Sequence, residues 1–106
     1  MKYKVEFTKR AIRDLKSLAV HTQKLILKQT IELETEPFPF KKMIKRIQGI
    51  KFPCYRFRVD SGSDSFRIFF GIEDTIVFIV RIVSQKATDK IIKNLINIDF
   101  PPDISN

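Results

Sequence analysis

The chain has 106 residues, enough for one domain with a modest core, and its 43% hydrophobic and 30% charged content excludes a disordered polymer. Twenty Lys and Arg against twelve Asp and Glu leave a net charge of +8, which opposes compaction by self-repulsion and points to an acidic partner. No apolar run approaches the roughly 18–20 residues of a bilayer span, so no membrane association is expected.

Residues 2–7 alternate, with Tyr3, Val5 and Phe7 on one face, and predict a strand. Thr8 is a good N-cap for a helix over about 9–19, with Ile12, Leu15, Leu18 and Ala19 at helical spacing. After a short break at Val20–Thr22, a second helix is expected over about 23–35. It carries Ile26, Leu27, Ile31 and Leu33, and Pro37 and Pro39 stop it. Tyr55–Val59, Phe66–Ile72 and Thr75–Val83 are rich in aromatic and β-branched residues and read as three strands. A polar loop, DSGSDS at Asp60–Ser65, separates the first two, and a tight turn at Glu73–Asp74 separates the others, which gives an antiparallel meander.

A last helix is expected over roughly 85–97, burying Ala87, Ile91, Ile92, Leu95 and Ile96. Residues 98–106 form an extended or frayed tail. The expected fold is therefore α+β with the order β-αα-βββ-α, in a single domain over residues 1–106. One four-stranded, mostly antiparallel sheet carries a helical hairpin on one face. The other face is either solvated or kept for a ligand.

The positive charge is not spread evenly. Lys41, Lys42, Lys45, Arg46, Lys51, Arg56 and Arg58 follow one another with no acid between Pro37 and Val59. Strand alternation puts Tyr55, Phe57 and Val59 on one face and Arg56 and Arg58 on the other. In the next strand Phe66, Ile68 and Phe70 alternate with Arg67 and Phe69. If both apolar sets face the helices, Arg56, Arg58 and Arg67 gather on the uncovered face, and Arg81 is placed to join them. Guanidinium groups bind phosphate bidentately and stack on bases, so such a face points to RNA. The plainer alternative is a solvated face with cross-strand pairs to Glu6, Glu73 or Asp60, but acids are scarce around the cluster. Lys41 to Lys51 are expected to steer and contact the partner.

Other chemistry is poorly represented. Cys54 is the only cysteine, which excludes an internal disulfide, fits a reducing compartment and has no companion base to activate it. His21 is the only histidine, so neither a metal nor another cofactor is expected. Gly49, Gly62 and Gly71 form no phosphate-cradling loop. The opening MKYKVEF lacks the apolar stretch of a signal peptide, and a cytoplasmic location is expected.

Taken in order, YKVEFTKRAIRDLKSL, the helix end ETEPF, IKRIQGIKFPCYRFRV, FRIFFGI and TIVFIVRIVSQK resemble the RelE/ParE superfamily of toxins from type II toxin–antitoxin modules, over about residues 3–92. The most telling parts are the basic residue ahead of Gly49 followed by Tyr-Arg-x-Arg-Val, and the aromatic-Arg-Ile-x-aromatic strand Phe66–Phe70. The resemblance is closest to the RelE branch. It implies a metal-independent, ribosome-dependent endoribonuclease that cuts mRNA by attack of a ribose 2′-OH on the adjacent phosphate. It further implies Arg56, Arg58 and Arg67 as the catalytic arginines, and Lys41, Lys42, Lys45, Arg46, Lys51, Arg81 and Lys86 as RNA-binding residues. The implied partners are an acidic, RelB-like antitoxin, the ribosome and mRNA. One departure stands out: the family's tyrosine after the last strand has no counterpart, since Tyr3 and Tyr55 are the only tyrosines and both are expected to face the core. Two alternatives follow, a non-catalytic relative that binds RNA or the ribosome, and a ParE-like inhibitor of DNA gyrase.

Overall fold

A single residue, Thr8, turns the first strand into the first helix. In the computed structural model, which describes residues 2–35, 44–47, 53–87, 90 and 92, strand β1 spans Lys4–Phe7 and helix α1 spans Lys9–Lys16. Thr8 between them has extended backbone (φ −70°, ψ 162°), and its buried hydroxyl accepts from the Ala11 N–H at 3.1 Å. The same hydroxyl donates to the Val80 carbonyl at 3.3 Å, which ties the helix start to the sheet.

Helix α2 (Val20–Ile31) runs into a 3₁₀ turn at Glu32–Glu34. It begins three residues earlier than the sequence suggests, because Thr22 is buried and bonds to Ser61 across the fold at 3.3 Å. The sheet then continues through β2 (Ile44–Ile47), β3 (Cys54–Ser61), β4 (Asp64–Glu73) and β5 (Ile76–Ser84), followed by a 3₁₀ turn at Gln85–Ala87. The helix expected from residue 85 therefore opens on a 3₁₀ turn; Lys90 and Ile92 are helical, and its other residues and the tail lie outside the described residues.

The fold is α+β, as expected, but its sheet has five strands instead of four, in the order β1-β5-β4-β3-β2. The additional strand is β2, IKRI, hidden inside the basic run. Four residues with two isoleucines three apart carry no strand periodicity, and the segment is fixed by antiparallel pairing to β3. The three central strands pair antiparallel, and β1 lies parallel to β5 at the edge. The loop expected at Asp60–Ser65 is mostly strand: β3 and β4 extend into it and leave only Gly62–Ser63 as the turn. Gly62 has φ +62°, the left-handed conformation that two-residue hairpin turns demand.

Both faces of the sheet carry apolar clusters. Ala11, Leu15, Ile26 and Leu33 from the helical side pack on Tyr55, Phe57, Val59, Ile68, Phe70, Val77 and Ile79. Tyr55 stacks on Phe70 at 5.5 Å between centroids, and Phe57 meets the same ring edge-on at 6.0 Å. On the opposite face Cys54, Phe69, Phe78, Val80 and Val83 are buried, with Ala87 and Ile92 packed against them. That face is therefore partly apolar and packed by Ala87 and Ile92, and the arginines share it with the buried cluster. No helix among the described residues is long and apolar enough to cross a membrane.

Candidate functional site

The polar end of the second face is built by the β3–β4 hairpin. Arg58 and Arg67 are direct register partners, Arg56 pairs with Phe69 one step along, and alternation puts all three arginines on one side. Directly opposed like charges destabilise a sheet, so this arrangement works against folding. The guanidinium of Arg67 feels it: its pKa is pushed below the ordinary arginine value, first by burial, then by Arg56 and Arg58, with Asp60 acting in the opposite sense. It stays protonated at any physiological pH.

The local partners are weak. Arg58 Nε contacts Asp60 Oδ1 at 2.8 Å, but both side chains are more than half exposed and such a pair contributes little. Hydrogen bonds from Arg58 and Ser65 hold the Asp60 carboxyl below its usual range, so it stays an anionic acceptor. Arg67 Nη1 donates to the Ser65 hydroxyl at 3.0 Å. Among the described residues Arg56, which is half-buried, has no ion pair or side-chain hydrogen bond. Three cations here face one soft, exposed counter-charge, which leaves this end of the sheet with an excess of positive charge.

The other expected contacts fall in different places. Arg46 is exposed and pairs with Tyr55, so it belongs to the helical side of β2. Lys45 is the register partner of Arg56. Lys41, Lys42 and Lys51 lie outside the described residues. Arg81 does not join the cluster: its Nε donates to Asp14 Oδ2 of α1 at 2.7 Å, and both side chains are only 11% exposed. Lys86 is exposed in the 3₁₀ turn and lines a cleft with Ser65. Sequence reasoning missed Ser65 and Asp14, whose roles depend on partners that only the folded chain brings close.

Two further features bear on chemistry. Tyr55 is 8% exposed in the helix-side core and Tyr3 packs against the same cluster, so neither shares the arginine face. Among the described residues no three His, Cys, Asp or Glu side chains gather to hold a metal ion.

Comparison with known proteins converges on one group. The family model for the ParE toxin of the type II toxin–antitoxin system parDE matches residues 5–102. No curated protein matches by sequence. Among solved structures, the RelB–RelE antitoxin–toxin complex of Methanococcus jannaschii is 25% identical, with 81% of this chain and 96% of that chain covered and a TM-score of 0.61. The RelBE2 toxin–antitoxin complex of Mycobacterium tuberculosis is 24% identical over 80% of this chain and 100% of that chain, with a TM-score of 0.65. A doubly arginine-substituted variant of E. coli toxin RelE in the free state is 18% identical over 90% and 99%, with a TM-score of 0.67. With a family model spanning nearly the whole sequence and a fold shared with RelE toxins, the chain belongs to the ParE toxin family and is the toxin component of a type II toxin–antitoxin system of the RelE/ParE kind.

Proposed function

We propose that this toxin arrests translation by cutting mRNA on the ribosome, with Arg56, Arg58 and Arg67 gripping the scissile phosphate. The observation that carries the reading is the direct opposition of Arg58 and Arg67 with Arg56 beside them, an assembly that an incoming phosphate relieves. In the reaction a ribose 2′-OH attacks the adjacent phosphorus, a 2′,3′-cyclic phosphate forms and the 5′-oxygen leaves. One proton departs from the 2′-OH and one is delivered to the leaving oxygen. Charge builds on the non-bridging oxygens in between, and guanidinium donors aimed at them lower the barrier without a metal. Arginine is unsuited to the proton transfers because it does not deprotonate. With Tyr55 buried under the helices, those protons pass to water or to groups of the ribosome. An acidic, RelB-like antitoxin is the partner that neutralises the face, and the cytoplasm is where mRNA and ribosomes are met.

The test is purified protein incubated with ribosomes and mRNA. Wild type cuts the message at codon positions, and Arg67→Ala lowers the rate by about 10²–10³, the loss typical of one transition-state donor. Full cleavage by the variant sinks the assignment. The burial of Tyr55 and the packing of Tyr3 against the same core favour one second reading, a relative that binds RNA without cutting it; salt-sensitive binding with an intact message identifies it. Toxicity that survives reversing all three charges points instead to a protein target such as gyrase.

A further inference from the structure

The counter-charge on the arginine face is held in a fixed place. Asp60 follows Arg58 by two residues and so points to the same side of β3; its register partner on β4 is Ser65, two residues before Arg67. Asp60 Oδ1 accepts from Arg58 Nε at 2.8 Å, and a second bond comes from the Ser65 hydroxyl. The oxygen of that hydroxyl accepts in turn from Arg67 Nη1 at 3.0 Å. Asp60 and Ser65 thus link the two opposed arginines across the hairpin. So exposed an ion pair adds little to stability, and the effect of the carboxylate falls instead on what the face binds.

A guanidinium has five N–H donors, and Asp60 takes up only the Nε donor of Arg58. A phosphate on the remaining donors lies within about 4–6 Å of the carboxylate, close enough for each charge to act on the other. At about 4 Å in water, one pair of unit charges changes an equilibrium about fivefold. The penalty grows with the charge of the ligand. An internal phosphodiester of RNA carries one negative charge, whereas a terminal phosphomonoester carries close to two at neutral pH.

We propose that Asp60 is a specificity-determining residue that weights this site toward phosphodiesters and against phosphomonoesters, such as free nucleotides and terminal phosphates. Three arginines without it are drawn most strongly to the more highly charged ligand, which is never the bond that is cut. A fixed like charge beside the site suppresses that wrong ligand more than the right one. The inference rests on the RNA-cutting reading above and adds to it a discrimination among phosphates.

The experiment displaces a fluorescent uridine pentanucleotide from the full chain at low salt, where exposed charges are least screened. The competitors are uridine 5′-monophosphate and its methyl ester, which differ by one charge at about pH 7.5. Asp60→Asn, an exposed and isosteric change, tightens the methyl ester about fivefold and the monophosphate about 25-fold, so their ratio moves about fivefold toward the monophosphate. Asp64→Asn is the control: it changes net charge equally at the same hairpin, but on the face opposite Ser65, and leaves the ratio alone. At about pH 5 the monophosphate has taken up a proton, and the two competitors respond alike to Asp60→Asn. The groups that act on Asp60, which are Arg58, Ser65 and Arg67, do not titrate in that range, and its carboxyl stays ionised. An unchanged ratio in Asp60→Asn, or the same shift in Asp64→Asn, overturns the role of Asp60 and leaves the arginine face standing. Pentanucleotide binding that Arg67→Ala does not weaken, or no binding at all, overturns both.

Discussion

Asp14 is the residue whose removal should cost this fold most for its size. β1 stops at Phe7, opposite Ile79, so from Val80 onward β5 has no strand on that side. The exposed edge is closed by two side chains. Thr8 takes the Val80 carbonyl, and Asp14 Oδ2 accepts from the Ile82 N–H at 3.0 Å. Asp14 also receives Arg81 through Nε at 2.7 Å and Nη2 at 3.3 Å, with Arg10 one helical turn away at 3.5 Å. In Asp14→Ala a nearly buried guanidinium and a backbone N–H both lose their acceptor. Breaking a buried pair from one side costs about 3–5 kcal/mol, and the residual 11% exposure argues for the lower end, about 3 kcal/mol. Against a total of about 5–15 kcal/mol this is a large fraction, on the order of 12 °C in Tm for a chain of this length. Urea denaturation followed by far-ultraviolet circular dichroism measures it, since the chain has no tryptophan. Arg81→Met should be comparably costly alone, and the double variant much less costly than the sum of the two. A loss below about 0.5 kcal/mol for Asp14→Ala, or simple additivity, refutes the argument. So does an Arg81→Met protein of unchanged stability that binds RNA more weakly, which would return Arg81 to the RNA-binding set.

Thr8→Val keeps the shape but removes both the cap and the bond to Val80, and should lower urea stability by about 1–2 kcal/mol, whereas Thr8→Ser should nearly preserve it. Burial pushes the Cys54 thiol up from 9.0 to about 12, so native protein at pH 8 should react with iodoacetamide far more slowly than protein in urea; equal rates would contradict the burial. The same shift has a sign in stability: the folded thiol holds its proton while the unfolded one loses it, so the contribution is complete below pH 9 and lost between about pH 9 and 12. Cys54→Ala should flatten that part of the alkaline decline.

Much of the arginine face was legible before any coordinates, for a local reason. A strand alternates every residue, so fixing Tyr55, Phe57 and Val59 toward the helices sends Arg56 and Arg58 the other way, and Phe66, Ile68 and Phe70 do the same for Arg67. Thr8 as a cap and four of the five strands, β1, β3, β4 and β5, follow from equally short-range patterns. The sequence by itself determined those elements and the side of the sheet on which each arginine stands.

What lies beyond that is decided by pairing between distant segments. β2 exists because β3 offers it an edge, and β1 joins β5 in parallel across 72 residues. Arg81 has the alternation of a candidate ligand, yet Asp14, 67 residues earlier, claims it at the strand edge that β1 leaves open. Ala87 and Ile92 pack against the cluster of Cys54, Phe69, Phe78, Val80 and Val83 on the face that periodicity alone leaves bare. The cleft beside Arg67 arises from two strands ending at different heights. Residue patterns repeat over a few positions and set which way a side chain points; register, strand ends and edge contacts depend on which segments meet, and only the tertiary structure decides those.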